Sequence, residues 1–424
     1  MSKEAPVVVI VGGGFGGLAA ARALKHAPVK VILIDRVNHN LFQPLLYQVA
    51  TSVLSPGQIA APIRGIIGSY PNTTVLLGEV TGVDMTGRSV FVTKESGTQI
   101  TMAYDYLILA TGVEQSYFGH EQFRKYAPGM KTLADAVFVR NKILLALEKA
   151  EAEDDDAQRA ELLTFAIVGA GPTGVEMSSA IAVMIQSRVR NNFRRVGPKS
   201  TRIVLIDGAP GPLGTFAPEL SEAAKKRLHD LGVETMFGHN VDEINERGVV
   251  IAGQQILSKT VIWTAGVAPS PAGEWLRTET DRVGRVRVGV DLTVKNHPEI
   301  LVVGDTASRD QDGKPLPGVA QVAMQQGQYA ANLIRNRIAG KPFEKPFRYF
   351  DKGNLAVVGK GFAVLESGKV RLSGLLAWLI WAFIHIQFLA QARLRLSVFV
   401  QWVWTYFTDQ RGSPLIVKHH ADEN

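Results

Sequence analysis

The chain has 424 residues, 46% of them hydrophobic and 20% charged, with 41 glycines and no cysteine. This composition describes a folded protein too long for one core, and the lack of cysteine excludes disulfide scaffolds, thiolate metal sites, iron–sulfur clusters and dithiol relays. The net charge of +7 is a mild excess; the basic group Arg188, Arg190, Arg194, Arg195, Lys199 and Arg202 reads as a solvated face rather than a nucleic-acid site.

Residues 1–6 are polar, and the apolar run 7–11 is too short for a signal-peptide core, so the chain is expected to remain inside the cell. The run VVVIV at 7–11 predicts a buried parallel strand. Gly12, Gly14 and Gly17 follow in G-x-G-x-x-G spacing, then an alanine-rich helix over 18–24 and a second strand over 29–34 that ends in Asp35. Each part has a task in holding a dinucleotide. The glycines let the backbone approach a pyrophosphate, the helix start offers N–H groups, and the acid bonds a ribose hydroxyl.

The arrangement recurs. An apolar strand over 165–168 precedes Gly169, Gly171 and Gly174, with a helix from 175 and a further strand over 202–206 that ends in Asp207. Each copy closes alike, as YLILATG up to Gly112 and as VIWTAG up to Gly266, at nearly the same distance from its first glycine. After the second copy come a strand over 301–303, the turn Gly304-Asp305-Thr306 and a helix over about 319–338. The expected fold class is α/β, with two Rossmann-type domains, the second inserted in the first. The expected boundaries are 1–115 plus 285–345 for one domain and 116–284 for the other, with a C-terminal membrane-anchoring helical segment in 346–424.

That segment holds residues 375–390, LLAWLIWAFIHIQFLA, and residues 398–407, VFVQWVWTYF, with Arg393 and Arg395 between them. The first would make a helix about 24 Å long, short of the roughly 30 Å hydrocarbon core. Trp378, Trp381, Trp402 and Trp404 all fall here, and such aromatics favour membrane interfaces. The expected partner is therefore a bilayer surface, against the alternatives of a dimerisation helix or a marginal transmembrane helix. A homodimer stays open. The nine histidines show no metal-ligand spacing beyond His419-His420 in the tail, so no metal site is expected.

Together, the two fingerprints, the ATG closure and the late GD pair resemble the two-dinucleotide-binding-domain flavoproteins. More narrowly, HNLFQPLLYQVAT (39–51), LPGVAQVAMQQG (316–327) and the apolar C-terminus are similar to type II NADH:quinone oxidoreductases, non-pumping enzymes of one membrane face. The resemblance implies FAD on the first copy. It would be held by Gly12, Gly14, Phe15, Gly17, Asp35, Arg36, Gln43, Pro44, Leu45, Ala110, Thr111, Gly112, Gly304, Asp305, Ala320 and Gln321. It implies NADH on the second, held by Gly169, Gly171, Pro172, Thr173, Gly174, Glu176, Asp207, Ala265 and Gly266. Asp207 argues for NADH over NADPH, because a carboxylate accepts from a 2′-hydroxyl and repels a 2′-phosphate. Glu176 either stabilises its helix dipole or, as in the family, influences hydride or proton transfer.

The resemblance further implies a quinone site at Ala320, Gln321, Met324 and Gln325, with Gln321 and Gln325 sharing one helix face, and a catalytic set of Glu176, Gln321 and Lys360. Lys360 reads equally as a strand-end lysine. The implied location is the cytoplasmic face of the cell membrane, as a peripheral enzyme of the respiratory chain. Two rivals remain, a soluble reductase of a ferredoxin-like carrier and a slow redox-sensing flavoprotein. Sulfide:quinone oxidoreductases share the fold and foot, but their chemistry uses cysteines, which this chain lacks.

Overall fold

A computed structural model describes residues 4–189, 192–342 and 345–417; Arg190, His419 and His420 lie outside the described residues. The chain forms two compact units. The first comprises Met1–Leu41, Ala61–Glu114 and Val267–Asp351, and the second Phe42–Ala60, Gln115–Gly266 and Lys352–Asn424.

In the first unit a six-stranded sheet runs in the order Thr293–Val294, His297–Val302, Tyr106–Leu109, Val7–Val11, Lys30–Asp35, Thr73–Leu77. All its pairings are parallel except the one between Thr293–Val294 and its neighbour. Side chains alternate faces along a strand. Val8 and Ile10 enter one core with the helices, while Val9 and Val11 enter another on the opposite face, under the antiparallel strands Glu79–Asp84, Ser89–Thr93 and Gln99–Ala103. Burial on both faces explains why these strands read as unbroken apolar runs. The helices Phe15–Leu24 and Ala320–Ile338 pack on each other at glycines: a Cβ on Gly327 would stand 2.1 Å from the Gly16 carbonyl oxygen.

The second unit carries a four-stranded parallel sheet ordered Val233–Phe237, Arg202–Asp207, Thr164–Val168, Thr260–Trp263. Against it lies the helix Pro172–Met184. The C-terminal stretch belongs to this unit rather than forming a region of its own. Its antiparallel strands Asn354–Val357, Ala363–Ser367 and Val370–Gly374 pack on that helix and on Pro218–Asp230. The helices Leu375–Phe388 and Ala392–Thr408 follow. The second begins at Ala392, earlier than the apolar pattern suggests, and takes Arg393 and Arg395 into its first turns; the Arg395 guanidinium donates to the Leu389 carbonyl at 3.1 Å.

The observed units also differ from the expected boundaries at two places. Residues 42–60 group with the second unit, where Gln58 donates to Ser397 Oγ at 2.9 Å. Residues 267–284 group with the first, where Ala272 and Leu276 join its core.

Candidate dinucleotide-binding sites

The two glycine fingerprints fold into the same local structure, each within its own unit. Gly12 and Gly169 adopt φ of +101° and +104°, which an L side chain rarely takes. A Cβ on Gly17 would lie 1.8 Å from the Gly12 carbonyl oxygen, and one on Gly174 would lie 1.7 Å from that of Gly169. The first and third glycines are thus demanded by the protein's own packing.

The middle glycine differs. Gly14 and Gly171 have extended φ near −75° and −67°, and a Cβ on either would meet nothing within 4 Å. Both are helix N-caps without a side-chain cap. Nothing inside the protein requires glycine there; a side chain would enter open space at a helix start, where backbone N–H groups can receive an anionic group.

Each fingerprint acid pins its own loop. One Asp35 oxygen accepts from Gly13 N at 2.5 Å and the other from Val37 N at 2.8 Å. Asp207 repeats this with Ala170 N at 2.5 Å and Ala209 N at 2.8 Å. Each carboxylate has lone pairs left for a ribose hydroxyl. Burial raises the Asp35 pKa, against the pull of its two backbone donors. Arg36 pairs at the surface with Glu114 at 2.6 Å. Asn40, which the sequence reading missed, is buried and donates to the Gly13 carbonyl at 3.1 Å.

The closing loops complete each cradle. Thr111 Oγ1 lies 3.1 Å from Thr306 Oγ1, and Thr306 donates to the Gly112 carbonyl at 2.8 Å, so Ala110, Thr111 and Gly112 are tied to the turn holding Gly304 and Asp305. Gly304 N donates to Gln326 Oε1 at 2.6 Å. Gln326 is almost fully buried and was also missed, because nothing in the sequence ranks it above Gln325. In the second unit Gln115 donates to the Ala265 and Gly266 carbonyls, both at 2.8 Å, and Pro172 and Thr173 form the exposed start of their helix.

On the helix Ala320–Ile338, half-buried Ala320, Gln321, Met324 and Gln325 share one side, while Val322, Ala323, Gln326 and Gly327 are buried. The Gln325 amide donates to the Phe350 carbonyl and accepts from the Phe350 N–H, both at 2.9 Å, so it clamps that backbone.

Gln43, Pro44 and Leu45 belong to the second unit, not the first. Leu45 is fully buried, and Gln43 donates to the Lys131 carbonyl at 3.2 Å. Lys360 sits in the turn after Asn354–Val357 and pairs with Asp409 at 2.7 Å, its ammonium 5.0 Å above the Tyr406 ring.

Glu176 lies beyond the first turn of its helix, so the dipole reading loses its basis. Its side chain is buried, and Oε1 accepts from Val357 N at 3.4 Å. Burial pushes the carboxyl up to about 8, so it holds a proton at neutral pH. The C-terminal strands supply that enclosure, which local sequence cannot reveal.

The C-terminal helices bury Trp381, Leu394 and Val398 and expose Leu375, Leu376, Leu379, Phe383, Leu396, Phe399, Val400, Val403 and Phe407. So large an apolar surface marks an interaction face. Among the described residues no helix is long and apolar enough to cross a membrane.

Residues 6–327 match the family model of the pyridine nucleotide-disulphide oxidoreductases. A type II NADH:quinone oxidoreductase of Mycobacterium tuberculosis is 42% identical over 98% of this chain and 91% of its own length, and a second from that organism is 41% identical over 96% and 89%. NDH2 from Plasmodium falciparum, solved in complex with NADH, superposes with a TM-score of 0.88 over 98% of this chain and 100% of that one, at 21% identity. The sulfide:quinone oxidoreductase of Aquifex aeolicus gives 0.74 over 98% and 96% at 17% identity, a likeness of fold alone. With two complete cradles in its fold and relatives this similar over nearly the whole length, the chain belongs to the type II NADH:quinone oxidoreductases, FAD-dependent enzymes of the pyridine nucleotide-disulphide oxidoreductase family.

Proposed function

We propose that this enzyme oxidises NADH at the second unit's cradle, holds FAD in the first unit's cradle, and passes two electrons to a quinone dissolved in the membrane, without pumping protons. The observation that carries the reading is the pair of open middle glycines, Gly14 and Gly171, in otherwise self-packed loops. Bound FAD supplies the two-electron carrier between the substrates. The residues supply binding, orientation and proton handling.

In the first unit, Asp35 would hold the adenosine ribose, the Gly12–Phe15 turn the pyrophosphate, and Thr111, Gly112, Gly304 and Asp305 the remaining polar chain. In the second unit, Asp207 would take the NADH ribose. The residues after it, Gly208, Ala209, Pro210 and Gly211, carry no cation to bind a 2′-phosphate. Glu176, protonated at neutral pH, would hold a proton in a dry site during turnover. Zero cysteines rule out a dithiol route for the electrons.

The exposed apolar strip would lie on the lipid surface, on the cytoplasmic face, so that quinone need not leave the membrane. Gln321 would bond a quinone carbonyl through a neutral amide, avoiding a charge in an apolar site. Gln321→Ala is therefore expected to slow quinone reduction about tenfold or more, the loss of one hydrogen bond, while flavin reduction by NADH keeps its rate. Stopped-flow traces showing both half-reactions equally slowed would refute this assignment.

A further inference from the structure

We infer that Phe118 forms an aromatic wall of the second unit's cradle, against which the nicotinamide half of NADH packs. This deepens the reading above and rests on it in taking Asp207 and the Gly171 turn to hold the other half of NADH.

Phe118 stands out first by its backbone. Its φ of +52° lies in the left-handed region, where a bulky side chain is strained, and Gly119 follows at +86°. Such a conformation persists only where the surroundings enforce it, and ligand sites are among the places where proteins store that strain. The enforcing contacts are visible. The Gln115 amide donates to the Ala265 and Gly266 carbonyls, and the Trp263 indole N–H donates to the Ser116 carbonyl at 2.8 Å. Ser116 Oγ in turn accepts from Phe118 N at 3.2 Å. Residues 115–118 are thereby fixed to the loop that closes the cradle.

The ring does little for the core. Its neighbour Tyr117 is buried, stacks on Trp263 with centroids 5.2 Å apart, and donates its hydroxyl to the Ala127 carbonyl at 2.8 Å. Phe118 meets the same indole at 6.4 Å, tilted, and stays 65% exposed. What it covers is Gly266. A Cβ on that residue would stand 2.4 Å from Phe118 Cζ, so glycine lets the ring lie directly on the loop backbone. A large ring held on a ligand loop, with most of its surface in water, offers that surface to an apolar or aromatic partner.

Sheet order identifies the partner. The strand Arg202–Asp207 lies on one side of Thr164–Val168, and Thr260–Trp263 lies on the other. A dinucleotide with its adenosine ribose at Asp207 and its pyrophosphate at the Gly171 turn carries its nicotinamide half away from Asp207, over the end of Thr260–Trp263. Gly266 and Phe118 stand there. Packing on the ring then removes apolar surface of both from water.

The test is calorimetric titration of the oxidised, FAD-loaded enzyme with NAD⁺ and, separately, with ADP, which has the adenosine and pyrophosphate but no nicotinamide. Phe118→Gly is expected to weaken NAD⁺ binding about tenfold and to leave ADP within about twofold. Its melting temperature should stay close to that of the wild type, because relief of the positive-φ strain offsets the added freedom of the unfolded chain. A ring that served only packing would instead lose stability and weaken both ligands. Phe118→Tyr, which keeps the ring, should bind NAD⁺ within about twofold of the wild type. NAD⁺ affinity unchanged in Phe118→Gly, or NAD⁺ and ADP weakened alike, overturns the inference. Gly171→Val separates this from the reading of the cradle. If that variant weakens both ligands while Phe118→Gly weakens neither, the cradle stands and Phe118's part in it falls. If Gly171→Val leaves both ligands unchanged, the cradle reading falls and the inference with it.

Discussion

Gly14→Val is expected to give a folded but colourless protein, and Gly171→Val a yellow protein that NADH no longer bleaches. Both positions have extended backbone that valine tolerates, and both open onto space rather than protein. Their cost should therefore fall on the ligand. Overpacking a pyrophosphate site should weaken binding on the order of 100-fold, about 2.7 kcal/mol. Retained FAD after gel filtration measures the first variant, and anaerobic titration with NADH the second. The contrast is Gly17→Ala, whose Cβ would collide with the Gly12 carbonyl oxygen at 1.8 Å. That change should lower the melting temperature or abolish soluble expression, whatever ligand is present. If Gly14→Val kept its full flavin content, the open space at Gly14 would not be the cofactor's.

Phe383→Lys combined with Phe399→Lys is expected to release the enzyme from lipid vesicles while sparing turnover with a short-chain, water-soluble quinone. Both rings are largely exposed, at 66% and 52%, so folding should change little. Each contributes roughly 1.5–3 kcal/mol when taken out of water by lipid, and each new ammonium opposes insertion further. Partitioning to vesicles should fall by about 100-fold or more. Turnover with a long-chain quinone embedded in those vesicles should fall with it. Unchanged co-sedimentation would show that the strip faces something else. Point substitutions are the better tool here than truncation. Deleting the chain after Leu372 would also remove buried Trp381, Leu394 and Val398, the Trp402 donor to Gln48, and Arg411.

The features legible in the sequence are those with a strict period or a fixed backbone need. Continuous apolar runs gave the parallel strands, since strands covered on both faces lose their alternation. Positive φ and close packing required the first and third glycines of each fingerprint, and the acids fell at the strand ends where the loops need them. What the sequence hid was produced by contacts between distant segments. Residues 42–60 look like part of the first domain until Gln58 meets Ser397 and Gln48 meets Trp402. Glu176 looks like an exposed helix-start acid until the Asn354–Val357 strand covers it. The order of Gln325 and Gln326 could not be told from spacing: the first clamps Phe350, and the second, buried, holds Gly304. Arg393 and Arg395 looked like a break between apolar segments, yet long basic side chains can lie along a helix with their heads at carbonyls or water.

The measurement closest to the central claim is an anaerobic absorbance titration of the purified wild-type enzyme. Stoichiometric FAD should be released on denaturation, its absorbance should be bleached by NADH far more readily than by NADPH, and a quinone should restore it. A protein that cannot be loaded with FAD, or whose bleached flavin a quinone leaves unchanged, would contradict it.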